Sequence, residues 1–218
     1  MNFNKLKEII LKNNLAINTV YDIGACRGYW TENYLKTVDN EADIYLFEAN
    51  PFCEPFLKEY NYFIKLLSSE DNLLIKYNIN SEIDTGESYY KEKTEFYKNS
   101  KEILLYSHTL ETICLEYNIP KPDLMKLDTQ GSELDILKGS INIWKNSKLL
   151  ILEVPLIEYN LNSPNIQEIL DFLKKHKFLP FKVLNELFSE DYLVQLDLVF
   201  INQEVKAQYV SQTNYLII

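Results

Sequence analysis

A glycine-bearing turn and a strand-end carboxylate are the residues of this chain whose types and spacing best suit a nucleoside. Tyr21-Asp22-Ile23-Gly24 and Cys26-Arg27-Gly28-Tyr29 bracket a turn between an apolar stretch, Thr19 to Ile23, and an amphipathic one, Tyr29 to Leu35. Such a turn lets backbone N–H groups approach an anionic or polar ligand, with the N-terminal end of the next helix aimed at it. Glu48 closes the next apolar run, Ile44-Tyr45-Leu46-Phe47. A carboxylate in that position accepts hydrogen bonds from ribose hydroxyls. Turns of this kind also occur with no ligand, and Glu48 by itself also reads as a solvated strand-end acid.

A second constellation runs Leu124-Met125-Lys126-Leu127-Asp128-Thr129-Gln130-Gly131-Ser132-Glu133-Leu134. It describes a strand, a tight turn at Gly131 and the start of a helix. Glu133 has a structural reason to exist, because acids in a first helical turn are favoured by the helix dipole. Asp128 has less excuse, since it ends a buried strand at the rim where ligands bind. Lys126 either pairs with an acid such as Asp128 or Glu153 or snorkels to the surface. Candidate bases are Asp128, Glu153 and His108. An imidazole with an unperturbed pKa of about 6.5 suits base work, although His108 also reads as a surface or capping residue. His176, beside Lys174, Lys175 and Lys177, reads as a solvated cation at a helix end. Asp128, Glu133 and Glu153 could alternatively hold a divalent metal, and nothing in their spacing decides it.

The elements that must position these groups alternate along the chain. An amphipathic N-terminal helix occupies residues 1–14. Strands are expected at 19–23, 43–48, 62–67, 73–77, 123–127, 149–152, 179–183 and 192–201, the last returning antiparallel. Helices are expected at 29–37, from Pro51 behind an Asn50 cap, and at 109–117, 132–144 and 165–176. This alternation predicts a mostly parallel sheet with helices on both faces. In such sheets ligands sit beyond the carboxyl ends of the strands, so Asp22, Glu48, Ser68, Asp128 and Glu153 are expected along one rim. Residues 78–101 lack clean periodicity and carry Tyr89, Tyr90 and Tyr97. A connection this long favours a lid or acceptor-binding loop, or else a partly disordered surface segment.

Bulk properties bound the function. At 218 residues the chain is most simply one domain, 1–218, long enough to bury a full core. A net charge of −10, with Arg27 as the sole arginine, argues against a duplex nucleic-acid partner. Three widely spaced cysteines (Cys26, Cys53, Cys114) suggest neither a disulfide framework nor a zinc motif. With no signal-like segment and no window long enough for a membrane span, the expectation is a soluble cytoplasmic protein.

Taken together, Tyr21-Asp22-Ile23-Gly24-Ala25, Phe47-Glu48-Ala49-Asn50-Pro51, Lys126-Leu127-Asp128-Thr129-Gln130-Gly131-Ser132-Glu133 with Gly139 beyond, and Leu152-Glu153 resemble the FkbM family of methyltransferases. The match runs in order over roughly residues 19–155, and Asp197-Leu198-Val199-Phe200 resembles the family's closing strand. The resemblance implies a class I methyltransferase (Rossmann-like) fold, a seven-stranded sheet with an antiparallel last strand. It also implies S-adenosylmethionine as cofactor, S-adenosylhomocysteine as product, and methyl transfer to a hydroxyl of a small molecule or sugar. Carried over by position, Asp22, Gly24, Ala25 and Gly28 belong to the cofactor site on the methionine side, and Glu48 holds the ribose. Asn50 lies near the adenosine, Ser68 near the adenine, and Asp128 faces the methionine amine or the acceptor. Two departures stand out. Cys26 and Arg27 replace the family's usual Asn and small apolar residue, and Glu111 stands where the family has Asp. A methyltransferase-like binding protein without turnover and an NAD(P)-dependent oxidoreductase remain the alternative readings.

Overall fold

The computed structural model describes residues 1–80, 86–95, 98 and 100–205. Helix α1 (Phe3–Lys12) begins at Asn2, whose side chain accepts the Lys5 N–H, and buries Leu6 and Ile9. Strand β1 (Thr19–Ile23) is buried at all five positions, as a central strand covered on both faces must be. Helix α2 (Tyr29–Thr37) follows the first turn, and β2 (Asp43–Glu48) ends on the expected acid. Asn50 caps a short 3₁₀ turn, Pro51–Cys53, that leads into α3 (Glu54–Leu57).

The expected strand at 62–67 is two strands. Residues of β3 (Asn61–Ile64) pair with β2, whereas β4 (Leu66–Leu67) leaves for a second sheet with β5 (Leu74–Ile79) and β6 (Lys101–His108). Sequence periodicity missed β6 because Leu104 and Tyr106 are exposed while Ile103 and Leu105 are half-buried, so apolar residues occupy both faces. Of the irregular segment 78–101, residues 81–85, 96, 97 and 99 lie outside the described residues. Helix α4 (Leu110–Tyr117) starts at a Thr109 cap and ends at Asn118 in the left-handed conformation.

Beyond it lie β7 (Leu124–Leu127), α5 (Glu133–Lys138), α6 (Ile141–Trp144), β8 (Leu149–Pro155), α7 (Ile166–Lys175), β9 (Phe178–Ser189) and β10 (Tyr192–Asn202). The main sheet has seven strands in the order β3-β2-β1-β7-β8-β10-β9. The first five run parallel, and β10 is antiparallel to both β8 and β9. One hydrophobic cluster packs α4, α5, α6 and α7 on one face, and a second packs α1, α2 and α3 on the other. The class I methyltransferase arrangement expected from the resemblance is the one observed.

The expected helix 132–144 is broken into α5 and α6 by a tertiary contact. A Cβ on Gly139 would lie 2.7 Å from the Ser68 carbonyl oxygen and 2.8 Å from Ser69 Cα. The glycine thus lets the β4 exit pass directly over the helix end. Gly139→Ala is expected to cost about 1–3 kcal/mol through overpacking, a fall in Tm of roughly 2–12 °C. Thermal unfolding followed by circular dichroism checks this, and an unchanged Tm would contradict the close approach.

Candidate active site

The parallel strands β1, β2, β7 and β8 bring their carboxyl ends to one rim, around a cavity of about 530 Å³. That is within the usual range for small-molecule sites, about 300–1,000 Å³. Ile23, Phe47, Leu66, Leu67 and Ile136 give it apolar wall, and Glu48, Asp128, Gln130, Glu153 and Gln195 give it polar groups.

At one end Glu48 is almost fully buried, with its two oxygens accepting the N–H groups of Cys26 and Asn50, each at 2.7 Å. Burial pushes its carboxyl above the ordinary value, although those N–H groups pull it back. A carboxylate can accept more than these two hydrogen bonds, and Glu48 lines the cavity. Gly24 (φ +73°) allows the β7 end to come close, since a Cβ there would lie 1.9 Å from the Asp128 carbonyl oxygen.

The other end is a carboxylate pair. Gln130 Nε2 donates to Asp128 Oδ1 at 3.1 Å and to Glu153 Oε1 at 2.7 Å, and the Tyr159 hydroxyl donates toward Glu153 Oε1 at 3.1 Å. Burial, with Asp128 beside it, raises the Glu153 carboxyl well above its ordinary value. Burial opposes ionisation of Asp128 too, but Lys126 and hydrogen bonds from Glu153 and Gln130 outweigh it and hold that carboxyl low. The two neighbours are therefore pushed in opposite directions, Glu153 toward its protonated form and Asp128 toward its charged one. Both line the cavity, and Asp128 is the more exposed, its side chain 38% accessible while Glu153 is buried. Glu133 lies behind them, pushed to about 7 by burial while accepting the Thr129 and Gly131 N–H groups.

Lys126 and Asp22 are register partners on β7 and β1, so their side chains share one face of the sheet. The Lys126 ammonium donates to the Gly24 carbonyl at 2.8 Å and lies 3.0 Å from Asp22 Oδ1 and 3.5 Å from Asp128 Oδ2. Thr31 of α2 donates to the second Asp22 oxygen at 2.7 Å. Burial favours the neutral amine, yet Asp22 and Asp128 together raise the Lys126 pKa above its ordinary value.

Of the residues expected from sequence, Gly24, Glu48, Asp128 and Glu153 line the cavity. Asp22 is fully buried beneath the loop, Ala25 is buried, and Gly28 caps α2 against Tyr60 and Leu57. Asn50 stands behind Glu48, its amide donating to Glu87 Oε2 at 2.5 Å. Ser68 follows β4 and His108 ends β6, the middle strand of the second sheet, and the Ser68 N–H donates to the His108 carbonyl at 2.9 Å. Sequence reasoning missed Cys53, Lys65, Glu87 and Glu92 as wall residues. Gln130 carried one signal, its place in the Asp-Thr-Gln-Gly run, and it adopts φ 55° to span the two carboxylates. Among the described residues no group of three or more His, Cys, Asp or Glu side chains is arranged to hold a metal ion, and no helix is long and apolar enough to cross a membrane.

Lys126→Met is expected to destabilise the protein by about 3–5 kcal/mol, because it leaves the Asp22 carboxylate buried without its cation. The double variant with Asp22→Asn should recover part of that loss. Urea midpoints of the three proteins check this, and a double variant no more stable than Lys126→Met would contradict the pairing.

The sequence model of the FkbM methyltransferase domain matches residues 22–180. No curated protein matches the chain by sequence. Among solved structures, the FkbM methyltransferase of Methylobacillus flagellatus superposes with a TM-score of 0.53 at 11% identity, over 92% of this chain and 48% of that one. An S-adenosylmethionine-dependent methyltransferase of Clostridium acetobutylicum superposes with a TM-score of 0.51 at 11% identity, over 91% and 89%. At these identities the superpositions speak for the fold, and the domain match, spanning well over half the sequence, speaks for the family. This chain belongs to the FkbM family of methyltransferases.

Proposed function

We propose that this methyltransferase uses S-adenosylmethionine to methylate a hydroxyl oxygen of a small molecule or carbohydrate. The observation that carries the reading is one cavity holding Glu48 at one end and the Asp128–Glu153 pair at the other. Glu48 suits the ribose hydroxyls, and Phe47, Leu66 and Leu67 suit an adenine face. Gly24 lets the backbone approach the ligand closely. The bound cofactor supplies an electrophilic methyl group on a sulfonium.

The work left to the chain is orientation and one proton. Alignment of reacting atoms is worth on the order of 7–11 kcal/mol in favourable cases. Asp128, ionised and reachable, accepts a hydrogen bond from the acceptor hydroxyl and takes its proton as the oxygen is methylated. Glu153, biased toward its protonated form, stands beside Asp128 as a positioning residue, and Gln130 donates to both. Residues 86–95 support the reading of this segment as an acceptor-binding loop. Glu87 and Glu92 line the cavity, the Tyr89 and Tyr90 hydroxyls donate to Asp135 at 3.0 and 2.6 Å, and Lys91 and Lys93 pair with Leu161 and Tyr159 through the backbone.

Thermal unfolding with S-adenosylmethionine, S-adenosylhomocysteine and NAD(H) in parallel tests the cofactor. At about 100 times the dissociation constant a ligand adds roughly 2.7 kcal/mol, a rise of about 5–11 °C at this size. Both adenosyl ligands are expected to shift Tm and NAD(H) is not. Glu48→Gln should weaken adenosyl binding by about 1.5–3 kcal/mol, the worth of a hydrogen bond to a charged group. No adenosyl shift at saturation would overturn the assignment. Asp128→Asn is expected to lower methyl transfer by about 10²–10⁴-fold with adenosyl binding retained. Release of S-adenosylhomocysteine over a panel of hydroxylated acceptors measures it, and undiminished turnover would remove Asp128 from the mechanism.

A further inference from the structure

Cys26 and Cys53 both line the cavity, although they are far apart in sequence and neither is needed to make apolar wall. Both are connected to one carboxylate, Cys26 directly and Cys53 by way of Asn50. The Cys26 N–H donates to Glu48 Oε2 at 2.7 Å, the Asn50 N–H donates to Oε1 at 2.7 Å, and the Cys53 N–H donates to the Asn50 carbonyl at 3.1 Å. The thiols themselves are hydrogen-bonded to each other. Cys26 sits in the left-handed region, φ 50°, a conformation that non-glycine residues hold only when the surroundings impose it. Both cysteines are reduced in the structure, Cys26 half-buried and Cys53 buried.

We infer that Cys26 and Cys53 form a peroxide-reactive modification site, whose oxidised state is a disulfide in the wall of the cofactor cavity. The hydrogen bond with Cys53 holds the Cys26 thiol below its ordinary pKa, against the effect of burial, whereas the same contact and burial raise Cys53. A thiolate is the nucleophile in such chemistry, so the division of labour is set. The Cys26 thiolate attacks one oxygen of hydrogen peroxide, forming a sulfenic acid and releasing hydroxide. The Cys53 sulfur then displaces the sulfenic hydroxyl, forming the S–S bond, and the thiol proton and hydroxide leave as water. Overall two thiols are oxidised, one peroxide is reduced and two waters form. A dithiol reductant reverses it by exchange.

An S–S bond of about 2.05 Å is far shorter than a thiol–thiol hydrogen bond. Its formation pulls Cys26 toward Cys53 and turns the Cys26 N–H away from Glu48. The consequence for the cofactor rests on the function proposed above: oxidation disturbs the group that suits the ribose, and binding is lost until the bond is reduced. Cys114 provides an internal control. It is buried, lies 3.2 Å from the Tyr21 hydroxyl, and is pushed up to about 11 by burial.

The test treats the reduced full chain with hydrogen peroxide at concentrations that oxidise free cysteine, then alkylates, digests and reads the peptides by mass spectrometry. The expected result is a cross-linked pair joining the Cys26 and Cys53 peptides, lost on dithiothreitol treatment, with Cys114 still alkylatable after unfolding. In Cys53→Ser, Cys26 should accumulate as a dimedone-trapped sulfenic acid; in Cys26→Ser, Cys53 should stay reduced. Complete alkylation of both cysteines after peroxide, or a cross-link to Cys114, would overturn the site. In the same samples the Tm shift with S-adenosylhomocysteine should fall by at least half on oxidation and return on reduction. An undiminished shift in the cross-linked protein would overturn the switch. Absence of the shift in the reduced protein would instead count against the cofactor assignment, and the cross-link is read independently of it.

Discussion

The Lys126 ammonium lies where β1 and β7 run side by side, facing oxygens from Asp22, Gly24 and Asp128. A charge so deeply buried persists only when it is paired and hydrogen-bonded. Here the pairing partners are the strand beneath the first loop, the loop itself and the candidate base. One side chain therefore fixes the height of the Gly24 turn over the sheet and the charge state of Asp128. The rest of the rim follows. Gly24 can lie against the Asp128 carbonyl only because it lacks a Cβ, and Glu48 can gather the Cys26 N–H only if that loop stays where Lys126 holds it.

The same arrangement explains why two neighbouring carboxylates behave differently. Asp128 has a cation and a donor amide on its side, so its charge is supported; Glu153 is buried with Asp128, Glu133 and Asp197 around it, which favours its protonated form. No residue type distinguishes them. The difference comes from where the ammonium lies: Lys126 Nζ is 3.5 Å from Asp128 Oδ2, so the cation supports that carboxylate directly.

Legibility from sequence follows the same division between local and non-local causes. β1, β2, α2 and α7 could be read directly, because their apolar period, their caps and their bounding turns are all local; Asn165 even forms a reciprocal capping box with Glu168. Glu48 and Asp128 could be read because each ends a buried strand. Asp22 looked like a rim residue, and its burial became visible only once Lys126 was known to be its register partner. Helix 132–144 was misjudged at Gly139, where the break is imposed by Ser68 and Ser69 from another part of the chain. Cys53, Glu87 and Glu92 carry no pattern at all, being brought to the cavity by the path of turns and loops.

The strand order has a consequence for how the chain can be made. Strand β8, whose first six residues are all buried, has β7 on one side and only β10 on the other. Among the described residues β10 in turn is the sole sheet neighbour of β9, so the two form a hairpin that meets the sheet through β10. Until residues 192–202 have left the ribosome, the apolar strand Leu149–Val154 is therefore an open edge with unpaired N–H and C=O groups. Such edges template association with other chains. The β9–β10 hairpin is thus the element that covers this edge, and a fragment ending before Tyr192 would leave β8 with its outer N–H and C=O groups open to other strands.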